Sequence, residues 1–245
     1  MISSKSILSC LILLLNVCNS FSQNQHKEWT SLLQKYVTNN GEVDYRGFQK
    51  DSLYLNKYLK NLESNPPKTS WSDHKTIAYW INAYNAYTIQ LVIRHYPIKS
   101  IKEIGGKIPF INSSWDIKFI NIGTELLDLN NIEHSKLRKN YKDPRLHMAL
   151  VCASKSCPIL LNTAYEENML DSQLDAQSRK FLSDPFRNSF TNKEAEISMI
   201  FKWYISDFSG TMGVRNFLKK HGPSSAQSDQ IRIKHKDYDW GINGN

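Results

Sequence analysis

The 245-residue sequence predicts an α+β fold, a helix-rich single domain around one small central β-sheet. Three observations predict it. Apolar residues recur at helical spacing through most of the chain, two short stretches carry strand-like apolar patterns, and no apolar run after the N-terminal one is long enough to suggest a membrane span.

The N-terminal run comes first. Lys5, the apolar segment Ile7 to Val17 and the small residues Ser20 and Ser22 follow the order of a secretory leader. Cleavage after Ser22 is expected, giving residues 1–22 as signal peptide and 23–245 as the domain. Cys18 is a poorer lipidation site, because Asn16 and Val17 stand where small residues are wanted. The expected address is therefore outside the cytoplasm, periplasmic or extracellular. Removal of the leader takes Cys10 and Cys18 with it, leaving Cys152 and Cys157 as the thiols available for chemistry.

Trp29, Leu32, Leu33, Tyr36 and Val37 predict an amphipathic helix from about Lys27, stopped at Asn39-Asn40-Gly41. Phe48, Leu55, Tyr58, Leu59 and Leu62 predict another, ended by Asn65-Pro66-Pro67. The strongest helix signal runs from a Ser70/Asp73 capping pair through Ile77, Trp80, Ile81, Tyr84, Thr88, Leu91 and Val92 to Pro97. Asn82 and Asn85 lie three apart on its apolar face, so their amides are expected to be buried and to need partners. The alternation Trp115, Ile117, Phe119 predicts a strand ending near Gly123, and Asn130 with Glu133 predicts a capped helix through His134 and Arg138. The unalternating run Met148-Ala149-Leu150-Val151, after Asp143-Pro144, predicts a central strand covered on both faces. Leu170, Leu174, Gln177 and Phe181 mark a further helix stopped at Asp184-Pro185, and the apolar tail Tyr238 to Asn243 is expected to dock on the body.

The chain has 31 Lys and Arg against 23 Asp and Glu, a formal charge of +8. These charges are scattered and alternate in sign, which describes a solvated surface. Nucleic-acid recognition wants a basic stripe interleaved with aromatics, and an exported chain has no cytosolic target to reach. Expected partners are a small-molecule or peptide-like ligand, with no membrane span and no cofactor; oligomeric state is not encoded in any pattern of the sequence.

The stretch Arg145 to Pro158 concentrates the candidate chemistry, because it carries Cys152 and Cys157 with Ser154 and Ser156 between them. Cys152 or Cys157 is a candidate nucleophile, needing a nearby base and an orienting amide as in papain-type acyl transfer. His134, from a separate element, is the preferred base; His147 would lie roughly 16 Å from Cys152 along a straight strand. Asn82, Asn85 or Asp239 suits the orienting or oxyanion role, and Ser154 and Ser156 suit backbone capping or ligand contacts in the loop. A Cys152-Cys157 disulfide in an oxidising compartment is the competing structural reading; it would make this a non-catalytic ligand-binding protein with a bridge-shaped loop. A zinc site from Cys152, Cys157, His134 and His147 has suitable donors but poor spacing, and no metal is expected.

Trp80 to Asn85, Ile132 to Arg138, His147 to Pro158 and Tyr238-Asp239-Trp240 together resemble the domain of unknown function 547 family across nearly the whole exported part of the chain. The resemblance implies a shared fold and carries no established activity. The family's usual ending is similar to Tyr-Asp-Trp-Ser-Leu-Asn, whereas Gly241 and Ile242 stand here, so no hydroxyl at position 241 can serve. The enzymatic expectation is a thiol-dependent hydrolase or acyl transferase acting on peptide-like envelope material.

Overall fold

A computed structural model of the chain describes residues 25–106, 113–228 and 230–245; the expected leader, residues 1–22, lies outside them. The architecture is α+β. Helix α1 (Lys27–Tyr36) buries Trp29, Leu32 and Leu33, and Trp29 stacks on Tyr58 with ring centroids 5.6 Å apart. Helix α2 (Tyr45–Lys50) is capped by Asp44, whose Oδ1 accepts the Gly47 N–H at 2.7 Å. A side chain at Gly47 would collide with the Tyr36 ring, the nearest ring carbon lying 2.3 Å from an added Cβ. Helix α3 (Ser52–Ser64) turns Leu55, Tyr58, Leu59 and Leu62 onto the same core.

Helix α4 (Asp73–His95) is the axis of the domain, with every side chain from Ile77 to Ile93 buried. A helix apolar all round must be surrounded on all sides. Its cap is Ser72, two residues beyond the predicted Ser70, because the Ser72 hydroxyl accepts the Lys75 N–H at 3.1 Å. Tyr79, Trp80, Tyr84 and Tyr87 are core residues of this helix.

Both predicted strands are corrected. Residues Ser114–Asp116 form a 3₁₀ turn, with the buried Ser114 hydroxyl donating to the Ile101 and Ile104 carbonyls. The strand follows it as β1 (Ile120–Ile122), paired antiparallel with β2 (Glu125–Leu127) around Gly123 at φ +60°. Residues Pro144–Met148 are also a 3₁₀ turn, and Ala149 to Val151 pair with no strand. The polar groups that a sheet would have satisfied are taken by Asn85: its Nδ2 donates to the Ala149 carbonyl and its Oδ1 accepts the Val151 N–H, both at 2.9 Å. One side-chain amide thus replaces a neighbouring strand. The segment Asn131–Arg138 is a π-helix whose first turn is closed by Asp128, not by Asn130 and Glu133, since Asp128 Oδ1 accepts the Asn131 N–H at 2.6 Å.

Helix α5 (Leu170–Leu182) ends as predicted before Asp184-Pro185. Beyond it a second apolar cluster gathers Met148, Phe181, Phe201, Phe208 and Phe217. Around it lie the three-stranded sheet β3 (Ser189–Phe190), β4 (Glu194–Ile197) and β5 (Arg232–His235) and the helices α6 (Ile200–Trp203) and α7 (Gly210–His221). Strand β4 pairs antiparallel with β3 and parallel with β5. The single central sheet is therefore replaced by two small ones, with α4 in the central place. No helix among the described residues is long and apolar enough to cross a membrane.

Candidate functional site

The cysteine loop is held by the C-terminal backbone on one side and by the Arg187 side chain on the other. The tail crosses it: Lys155 N–H donates to the Gly241 carbonyl at 2.8 Å, Ser156 N–H to the Asp239 carbonyl at 3.2 Å, and Asn243 N–H to the Ala153 carbonyl at 3.1 Å. From the other side Arg187 donates to the carbonyls of Cys157 and Lys155 at 2.5 and 2.7 Å. Between the thiol and Ser154, Ala153 sits in the left-handed region at φ 59°, uncommon for a residue with a side chain and held here by these neighbours. That turn folds Ser154 back on Cys152. Its Oγ lies 3.1 Å from Cys152 Sγ, the Tyr238 hydroxyl 3.3 Å from the same sulfur, and the two hydroxyls 3.2 Å apart.

Cys152 and Cys157 are free thiols, and the bridge considered from the sequence is not formed. The Cys152 N–H donates to Cys157 Sγ at 2.8 Å. Burial acts to raise the Cys152 thiol, but hydrogen bonds from Cys157, Ser154 and Tyr238 outweigh it and bring its pKa down to about 7. Burial pushes Cys157 well up, and its hydrogen bond to Cys152 pushes it further. The two thiols are thus inequivalent, Cys152 the more acidic and Cys157 the one held protonated, its Sγ 3.8 Å from the Leu150 carbonyl.

Cys152 opens on a cleft of about 390 Å³ that also holds His147, Glu133, Tyr204, Trp203 and Trp240. His147 reaches it because Pro144–Met148 coils where a straight strand was predicted. Its Nε2 lies 2.8 Å from Asp207 Oδ2, and its ring stacks on Tyr204 with centroids 4.0 Å apart. Asp207 in turn accepts from Arg138 Nε at 2.5 Å and Nη2 at 3.0 Å. Burial acts against the Asp207 charge, but Arg138 and His147 prevail and hold its pKa at about 2. His147 is lowered by burial, against the upward pull of Glu133 and Asp207, so at neutral pH it is the uncharged imidazole. With Nε2–H donated to Asp207, Nδ1 is its free basic nitrogen. No direct hydrogen bond joins His147 to Cys152 among the described residues.

The remaining predicted site residues fall elsewhere in the scheme. His134 lines the cleft but is exposed, and its Nδ1 accepts from Arg138 Nη1 at 2.6 Å, which occupies the nitrogen a base would use. Asn82 holds the Tyr165 backbone through Nδ2 at 2.8 Å and Oδ1 at 2.9 Å, so both ends of its amide are engaged away from the thiols, as Asn85 is with Ala149 and Val151. Ser156 Oγ accepts the Asp239 N–H at 2.8 Å and Asp239 Oδ1 accepts the Gly241 N–H at 2.7 Å, which pins the tail. No group of three or more metal-ligating side chains occurs among the described residues. A larger open groove, about 850 Å³, lies beside the end of α1 and residues 242–245 and contains neither thiol nor imidazole.

A family model described as a protein of unknown function, DUF547, matches residues 68–182. Over that stretch, just under half of the chain, the sequence is similar to the DUF547 family. No curated protein and no solved structure matches it. The DUF547 stretch supplies α4, the π-helix, His147 and both thiols, whereas Asp207, Tyr204, Tyr238 and the Trp203 and Trp240 walls come from the chain beyond it. The cleft is completed only where the two parts meet. Sequence reasoning missed Asp207, Tyr204 and Glu133 as site residues. The signal available for the first two was the polar Tyr204 and Asp207 embedded in the apolar stretch from Ile197 onward.

Proposed function

We propose that the protein is a thiol-dependent hydrolase or acyl transferase with Cys152 as nucleophile and His147, oriented by Asp207, as the proton carrier. One observation carries this: a sulfur with pKa about 7, hydrogen-bonded by Ser154 and Tyr238, shares a cleft with a buried neutral imidazole on a carboxylate. His147 takes the role that the sequence assigns to His134, and Asp207 the orienting role that it offers to Asn82, Asn85 or Asp239.

In this scheme the Cys152 sulfur attacks the acyl carbonyl while its proton passes to His147. Collapse breaks the bond to the leaving amine or alcohol, which takes that proton from His147, and leaves a thioester on Cys152. Water or an acceptor amine then attacks the thioester, giving a proton to His147; the departing sulfur recovers it. Peptide-like envelope material outside the cytoplasm is the proposed substrate setting, supported by the Lys5 and Ile7 to Val17 pattern.

The test is acylation by p-nitrophenyl acetate. A burst of about one equivalent of p-nitrophenolate, with an acetyl thioester mapped to Cys152 by mass spectrometry and abolished in Cys152→Ala, is expected. His147→Ala is expected to slow the burst. Acetyl groups found only on lysines, with no burst, would overturn the proposal.

A further inference from the structure

Glu133 lines the cleft and Asp207 stands behind His147, and the two carboxylates are answered differently. Asp207 is matched by Arg138. Glu133 is 6% exposed, makes no ion pair among the described residues, accepts one long hydrogen bond from the Tyr84 hydroxyl to Oε2 at 3.5 Å, and lies beside the Tyr204 hydroxyl, whose pKa is raised by burial and further by Glu133. Its Oε1 has no hydrogen-bond partner among the described residues and is not sealed in, so it faces the cleft that Glu133 lines. A nearly buried carboxylate that presents an unpartnered oxygen to a cleft is a group available to a ligand.

The electrostatic balance points the same way. Arg138 is matched by Asp207, so Glu133 is the carboxylate lining the cleft that has no ion-pair partner among the described residues. The walls suit a cation too. Trp115, Trp203 and Trp240 line the cleft, and the Lys102 ammonium lies 3.6 Å from the centroid of Trp240, so this aromatic surface already receives one ammonium at its rim.

We infer that Glu133 is the anchor of a subsite for a primary ammonium group, so that the acyl substrate of Cys152 is an amine-bearing, peptide-like molecule. The inference rests on the acyl-transfer reading for the word substrate, but the subsite itself does not. An ammonium brings three N–H donors, and Glu133 Oε1 with the phenol oxygens of Tyr84 and Tyr204 supplies acceptors for them. A substrate presenting a carboxylate at this position would meet Glu133 and be rejected.

The experiment uses n-butylammonium against its neutral analogue n-butanol on the full chain, read by tryptophan emission and by protection of Cys152 from iodoacetamide. Butylammonium is expected to give a saturable emission change and to slow alkylation; butanol is expected to do neither at equal concentration. Glu133→Gln is expected to weaken butylammonium binding about tenfold, the scale of one charge-assisted contact, judged within each protein as the ratio of alkylation rates with and without amine. Equal effects of butanol and butylammonium, no saturation in the wild-type chain, or an unchanged constant in a folded Glu133→Gln would each overturn the subsite. The wild-type comparison decides the matter even if the variant does not fold. Amine binding without acetylation of Cys152 would leave the subsite standing and remove the enzymatic proposal; acetylation without amine discrimination would do the reverse.

Discussion

Replacing Tyr238 by Phe removes one hydroxyl, 3.3 Å from Cys152 Sγ, and keeps the ring that packs on Trp203 and Trp240 at centroid distances of 4.8 and 4.6 Å. The sulfur's pKa of about 7 is a balance between burial, which raises it, and hydrogen bonds, which lower it. Losing one hydrogen bond to a charged acceptor is worth about 1.5 kcal/mol, or roughly one pKa unit upward. At pH 7 the thiolate fraction would fall from about one half to about one tenth, so alkylation by iodoacetamide should slow roughly fivefold. Above about pH 9.5 both proteins should react at similar rates, because both are then fully ionised. Peptide mapping keeps Cys152 apart from Cys157, whose raised pKa makes it a slow reactant. The decisive quantity is the midpoint of the rate-against-pH curve. A midpoint unmoved in Tyr238→Phe, with the melting temperature retained, would refute the claim that this hydroxyl stabilises the thiolate.

Asn85→Ala strips the partners from the Ala149 carbonyl and the Val151 N–H together, and two buried groups left unpaired should cost about 2–4 kcal/mol in urea unfolding; stability within 0.5 kcal/mol or so of wild type would show that those groups find other partners. Gly47→Ala should lose about 1–3 kcal/mol by driving a methyl into the Tyr36 ring, and an unchanged melting curve would contradict that contact. Acid stability should fall in two stages. His26, lowered to about 4 by burial first and Lys75 second, and His147, lowered by burial, both stabilise the fold above about pH 6.5 and lose that contribution as pH drops and the unfolded chain takes up protons. Asp207, held at about 2, adds a second loss of about 2 kcal/mol as pH falls from about 4 toward 2. Urea midpoints measured at successive pH values check this, and a flat profile between pH 7 and 5 would count against the buried histidines.

The helices were legible because their signals are local and repeated. The spacing of Trp29, Leu32 and Leu33 and the long apolar face from Ile77 to Val92 fix α1 and α4 without tertiary information. The strand expected at Met148 to Val151 was not legible correctly, because an apolar run states only that a segment is buried. What satisfies its backbone is decided by Asn85, some sixty residues away in sequence. The importance of Cys152 could be read from its loop, yet its partners could not. A straight strand would hold His147 far from Cys152, and the observed 3₁₀ turn removes that separation. Asp207 lies sixty residues beyond His147 on a segment without a sequence motif, so no spacing rule links the two.

Irregular backbone carries the reactive sulfur, and its order depends on side chains and on the tail that crosses it. Ser156 tests that dependence at one remove from the chemistry. Its Oγ accepts the Asp239 N–H at 2.8 Å, one residue after the Tyr238 that holds Cys152. Ser156→Ala deletes this tether but leaves every atom around the sulfur in place. The tail keeps its bonds from Lys155 and Asn243, so Tyr238 should loosen without leaving. The expected result is an upward shift of the Cys152 midpoint smaller than that of Tyr238→Phe, with no further shift when the two substitutions are combined. Fully additive shifts would mean that Ser156 acts on the thiol by a route that does not pass through Tyr238.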